Sequence, residues 1–372
     1  MVTTIDTMVD DHYPFADYKG IELDEFSGAL WATLDNDTSD ADFLADINYA
    51  LSMLRDGHTR MERRALKEPA VAPVDVEIDE EGVRIVAVDD EELADLVGER
   101  IDSVDGVDVH QAVTSIGEWT EAGHRGEFSL RGAELAFAGE AGTTVELALE
   151  SGQTVKLQRR ALHDEPEVRH LDDGIGYLRL DTFGFIDDLD RVDRAMNELM
   201  DSEGLMIDLR NNGGGFPSVS DGLFGRLIAE DVPSFGLVDV DGFESRKLTA
   251  KPRGETYRGE VVVLTNGRTY SASNYFAHRM LYHERGILIG GPTGGGAAAP
   301  KMGVRLLPGV WFQVSSHVVR TPEGDHSESG FEPQINVDDE EDMAIEEGGL
   351  HTLTVTGDPV MNRAHYYLTN GE

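Results

Sequence analysis

Apolar residues recur at two different spacings along this chain, and the change of spacing divides it into segments. In GIELDEFSGALWATL, Leu23, Phe26, Leu30, Trp31 and Leu34 fall three to four residues apart, which predicts an amphipathic helix. Ser39-Asp40 reads as a cap before ADFLADINYALSMLR, where Phe43, Leu44, Ile47, Leu51 and Leu54 form one stripe of a second helix. That helix is expected to end in Asp56-Gly57-His58-Thr59, with Gly57 as its terminator. Residues 20–66 thus read as helical, and 1–68 as an N-terminal helical subdomain.

From 69 to 165 the spacing shortens. VAPVDVEI, GVRIVAV, VELALE and TVKLQRR alternate or run apolar between Gly-rich breaks, which predicts a β-rich module with a hairpin at Asp105-Gly106. From 166 to 340 strand and helix patterns take turns. IGYLRL (175–180), LMIDL (205–209), VVVLT (261–265) and GILIG (286–290) read as strands. DDLDRVDRAMNELM (187–200), FPSVSDGLFGRLIA and SASNYFAHRMLYHE read as helices. This alternation predicts an α/β segment with a mainly parallel sheet, whose ligands gather at the C-terminal ends of the strands. Two Gly-rich loops and the turn at Ser271 fall at such ends. An acidic linker and GDPVMNRAHYYL, with a helix start at Asp358-Pro359, fill 341–372.

Charge narrows the partners. The formal net charge is −41, and the chain holds six lysines against 25 arginines. No basic patch is available to neutralise phosphates, which excludes a nucleic-acid-binding role. The acidic residues are spread through every segment, as expected of a halophilic cytoplasm, where molar salt shortens screening to about 3 Å. No apolar run reaches the length of a membrane span. The opening MVTTIDTMVDDHYPFADYKG lacks the basic start and apolar centre of an export signal, so a cytoplasmic location is expected. With no cysteine, thiol chemistry is excluded, and the 12 histidines lack metal-ligand spacing. Neither a metal nor a cofactor is expected.

The candidate chemistry lies in three places. Arg210-Asn211-Asn212-Gly213-Gly214-Gly215 follows a buried strand, and its glycines let backbone N–H groups face a ligand. An oxyanion hole, a phosphate loop and a plain surface loop all fit, although the GxxxxGK[ST] pattern is absent. Ser271 opens a helix after VVVLT, where it reads as a nucleophile or as a simple cap, with Ser273 as local competitor. A serine nucleophile needs a base. His278 and His283 stand seven and twelve residues along the same helix, and seven residues already span roughly 10 Å. His58, in a short loop, is free to point into a cleft.

In the order LRDGHT (54–59), IGYLRLDTF (175–183), LMIDLRNNGGG (205–215), VVVLTNGRTYSAS (261–273), IGGPTGGG (289–296) and SGFEP (329–333), the chain resembles one family. That family is the serine peptidases of the C-terminal processing, tricorn-core and interphotoreceptor retinoid-binding group. The resemblance spans most of the chain and is weakest over 69–165. It implies a crotonase-like α/β core with an N-terminal helical subdomain and an inserted PDZ-like module, the latter also resembled by the pattern from Gly98 to Val109. It implies Ser271 as nucleophile, with Ala272 and Gly214, or the neighbouring Gly213, as oxyanion donors. Gly294 and Gly295 would lie along the substrate, which would be a peptide or unfolded protein. The lysine of the Ser–Lys branch is replaced by Gly296, whereas His58 matches the Ser–His, tricorn-like branch. Glu328 is nearest to the acid that would orient His58 but is displaced by one position, and Asp56 and Asp325 remain alternatives. Self-association into a homo-oligomer is compatible with the family. A non-catalytic ligand binder on the same fold and an esterase-type acyl hydrolase are the competing functions.

Overall fold

The computed structural model describes residues 1–35, 40–63, 69–79, 82–88, 91–110, 112, 137, 139–161, 165–184, 189–246, 248–300, 303–307, 310–337 and 358–371. The chain divides into two compact units, one formed by Met1–Leu162, Leu237–Ser245 and Ala298–Val318, the other by His163–Gly236, Arg246–Ala297 and Val319–Glu372.

The first unit contains two separate apolar clusters. One gathers helices α1 (Val2–His12), α2 (Leu23–Ala32) and α3 (Asp40–Ser52) around Phe26, Leu30, Ile47 and Leu51, closed by Phe312 and Val314. The other fills an antiparallel sheet of β1 (Val74–Asp79), β2 (Gly82–Val88), β3 (Arg100–Val104), β4 (Thr144–Leu149) and β5 (Thr154–Gln158), paired in that order. Val145, Leu147 and Leu149 point alternately inward from β4, as a half-buried strand requires. The expected hairpin is present: β3 pairs with Val107–Asp108 across Asp105 and Gly106, at φ 51° and 80°. Two consecutive residues at positive φ give the turn whose twist suits a two-residue hairpin.

Two expectations about the N-terminal segment are corrected. Helix α3 stops at Ser52, and the chain turns at Arg55, at φ 45°, rather than at Gly57. The Asp56 carboxylate takes the amide of His58 and the hydroxyl of Thr59, a local competition that helix continuation would forfeit. Residues Arg60–Arg63 form a strand, antiparallel to Val310–Gln313, and not a helix.

The second unit is built on a six-stranded sheet. Its order is β6 (Glu167–His170), β7 (Ile175–Arg179), β8 (Gly204–Asp208), β9 (Glu260–Thr265), β10 (Ile287–Gly290) and β11 (Ile335–Asn336). All neighbours are parallel except β6, which runs antiparallel to β7. Every residue of β8 is buried because helices cover both faces. Leu205 and Ile207 meet α4 (Leu189–Leu199), α5 (Pro217–Gly225) and α6 (Ala272–Tyr282). Met206 faces the other way, with Val262 and Ile289, onto Met361 and Ala364 of α7 (Pro359–Asn370). Helix α7 starts as its sequence predicts, with the Asp358 carboxylate accepting from the amides of Val360 and Met361 at 3.0 and 3.1 Å. Among the described residues no helix is long and apolar enough to cross a membrane.

Candidate active site

Ser271 follows the C-terminal end of β9 and occupies the N-cap position of α6 at φ 56° and ψ −119°. A non-glycine residue held there costs on the order of 1–3 kcal/mol, so its surroundings must fix it. They do so through the backbone, with the Ser271 amide donating to Gly295 O at 3.0 Å and its carbonyl accepting from Tyr275 at 2.8 Å. A serine present merely as a cap would spend its hydroxyl on first-turn amides, and Ser271 makes no such bond. The competitor Ser273 is completely buried. Ala272 is the first residue of α6, so its N–H has no helical carbonyl to reach and stands at the positive end of the helix.

The loop after β8 lies against this turn. Asn212, fully buried, donates to Leu180 O at 2.8 Å and accepts through its backbone oxygen from Tyr270 at 3.1 Å. Asn211 and Asn266 bond each other, Nδ2 of Asn266 donating at 2.8 Å and its Oδ1 accepting from the Asn211 amide at 3.0 Å. Gly214, at φ 100°, comes so close that a Cβ would lie 2.8 Å from Ser271 Cβ and 2.9 Å from Ala272 N. Only glycine fits. The Gly214→Ala variant is therefore expected to lose about 10²-fold or more in kcat, read with a fluorogenic peptide, through displacement of the Ser271 turn.

The structure corrects the donor assignment. The Gly214 amide donates to Asn212 Oδ1 at 2.9 Å, so Gly214 supplies close approach and not an open N–H. Gly213 is exposed, and nothing stands within 4 Å of where its Cβ would be. Gly294 and Gly295 pack beside the Ser271 turn. Both are buried, and a Cβ on either would collide with the carbonyl oxygen of Gly267 or of Glu328. They buttress the Ser271 turn, with Tyr270 bridged to Gly295. Gly296, at φ 83°, presses on Tyr270, whose ring would lie 2.5 Å from a Cβ.

His58 belongs to the first unit and is 6% exposed. Its loop is tied to the following strands, with Gln313 Nε2 donating to His58 O and the Ser315 amide to Thr59 Oγ1, each at 2.9 Å. Asp56 Oδ1 accepts from the His58 amide at 2.9 Å and lies 3.9 Å from His58 Nδ1. Burial pushes the Asp56 carboxyl up, but Lys19, His58 and the hydroxyls of Ser315 and Thr59 outweigh it and hold it below the ordinary carboxylate value. Asp56 is thus an ionised anchor beside the imidazole.

Glu328 and Asp325 lie in the second unit. Glu328 is 3% exposed and its carbonyl accepts from the Gly296 amide at 2.9 Å. Asp325 faces His278, which burial against Phe235 and Phe331 brings down to about 4 despite that carboxylate. His283 is lowered too, by burial, and stacks on Phe224, so both helix histidines are aromatic-packed residues. Lys301 lies outside the described residues. Among the described residues no cluster of three metal-ligating side chains occurs. Asn212 and Asn266 escaped the sequence reading, although each sits beside a glycine at a strand end, the signal that could have found them.

Residues 174–337 match the model of peptidase family S41. Over that stretch, somewhat less than half of its length, the chain is similar to the family S41 peptidases. The match supports a serine-type peptidase, and the matched stretch contains Ser271 and the glycine loop. Its fold is similar to that of the photosystem II D1 C-terminal processing protease, with a TM-score of 0.62 and 21% identity over 90% of this chain and 92% of that one. It is similar also to mature CPAF, at 0.64 and 14% identity over 90% and 91%. A peptidase from Parabacteroides merdae ATCC 43184 described as putative gives 0.56 and 18% identity over 99% and 95%.

Proposed function

We propose that this protein cleaves peptide or unfolded-protein substrates as an endopeptidase or carboxy-terminal processing enzyme, through an acyl-enzyme on Ser271 with His58 as general base. The observation that carries the reading is Ser271 itself, in a strained turn at a helix start, with its hydroxyl not used for capping. His58 takes the hydroxyl proton, Ser271 Oγ attacks the peptide carbonyl, and the imidazolium returns the proton to the leaving amine. Water then repeats the sequence on the ester. The Ala272 N–H and an N–H of the glycine loop, Gly213 in our reading, hold the oxyanion. Asp56 anchors the His58 backbone and places a carboxylate 3.9 Å from the imidazole Nδ1. A fluorophosphonate should label the protein once, on the peptide containing Ser271. A label mapped to any other serine removes the assignment.

We further read the α/β unit as crotonase-like and the sheet of β1–β5 as a PDZ-like module that captures peptide ends. The pattern from Gly98 to Val109 and its Asp105-Gly106 hairpin support the second reading. The charge of −41 supports a halophilic setting. Raising KCl from about 0.1 M to about 2 M should raise Tm by ten degrees or more, because like charges then repel over a shorter range. A flat or falling Tm across that range contradicts it.

A further inference from the structure

Arg279, on α6, heads the large side chains that the described molecule buries completely. Taking a guanidinium out of water is costly unless its partners offset the loss, and here both terminal nitrogens are engaged while Nε has no hydrogen-bond partner. Its Nη1 pairs with Asp221, and its Nη2 donates to Ser220 Oγ at 2.8 Å. The rings of Phe224 and Tyr275 lie 4.8 and 4.2 Å from its Cζ. Ser220, on α5 and itself fully buried, then donates to the carbonyl of Ala272 at 3.1 Å.

The two ends of this relay matter. Helix α5 begins at Pro217, directly after Gly213, Gly214, Gly215 and Phe216, and the Ser220 amide donates to Phe216 O at 3.4 Å. Helix α6 begins at Ala272. The polar contact between the helices therefore joins the element that carries the glycine loop to the residue that follows Ser271. A cation polarises the hydroxyl it donates to, so the Ser220 bond to Ala272 O is stronger than a neutral one.

We propose that Ser220 and Arg279 are positioning residues of the oxyanion hole, fixing the Ala272 backbone against the glycine loop while negative charge develops on the substrate oxygen. The proposal rests on Ser271 being the nucleophile. It is tested with Ser220→Ala, its active sites counted by fluorophosphonate. Per active site, kcat is expected to fall about 10- to 100-fold with KM within about twofold. The Ki of a peptide aldehyde, which forms a tetrahedral adduct on the serine, should rise by a similar factor. A purely structural role would lower the active fraction and leave the Ki of the remaining sites unmoved, which overturns the proposal. So does a kcat per site within twofold of the parent. If Ser220→Ala does not fold, Asp221→Asn weakens the same brace from its half-exposed end. It should raise the aldehyde Ki at least about threefold, and an unmoved Ki there is again a refutation. An active Ser271→Ala enzyme would refute the nucleophile itself. An inactive one beside an unaltered Ser220→Ala refutes the relay alone.

Discussion

Ser271→Ala should lower kcat on a fluorogenic peptide by at least about 10⁴-fold while leaving Tm within about two degrees. The size of the loss follows from the chemistry, since without Oγ no acyl-enzyme forms and any residual rate comes from bound water and the oxyanion donors. The small structural effect follows from the geometry. The Ser271 turn is held by its amide to Gly295 O and its carbonyl to Tyr275, and both bonds survive the substitution. No helix cap is lost, because the hydroxyl makes none. Full activity in the alanine variant, at equal purity, would assign the hydrolysis to another residue.

The second large effect separates two possible bases. His58→Ala is expected to cost about 10³-fold or more in kcat/KM, whereas Lys301→Ala should stay within about threefold of the parent. A lysine base would have to stand where the Ser–Lys branch places it, at Gly296. A Cβ there meets the Tyr270 ring at 2.5 Å, and the backbone is at φ 83°, so the turn is built around the absence of a side chain. His58 has an ionised partner in place, Asp56 Oδ1 at 3.9 Å from Nδ1. A dead Lys301→Ala enzyme beside an active His58→Ala enzyme would reverse the assignment.

The parallel sheet was legible because its strands are buried on both faces and read as continuous apolar runs, as LMIDL does at β8. Asp358-Pro359 announced α7 for an equally local reason, a side-chain cap followed by a residue that needs no amide partner. The long-range pairings left no local trace. Arg60–Arg63 reads as helix by spacing, and its partner Val310–Gln313 lies some 250 residues away, where tertiary pairing overrides propensity. At the site, Ser271 and the glycine loop were visible as residue types at strand ends. Which glycine keeps an open N–H was not, since it depends on the rotamer of Asn212.

The placement of α7 bears on the order in which the second unit can be completed during synthesis. Helix α7 follows Ser271 by many residues in the chain, yet its Met361 and Ala364 cover the sheet face formed by Tyr177, Met206, Val262, Leu264 and Ile289. Its cap residue Asp358 also pairs at 2.8 Å with Arg210, at the head of the glycine loop. A nascent chain that has reached Ser271 but not Pro359 therefore exposes one whole side of the sheet to water and leaves Arg210 short of a carboxylate. Docking of α7 completes both the cover of this sheet face and the pairing of Arg210, so the unit that holds Ser271 is finished by its last helix.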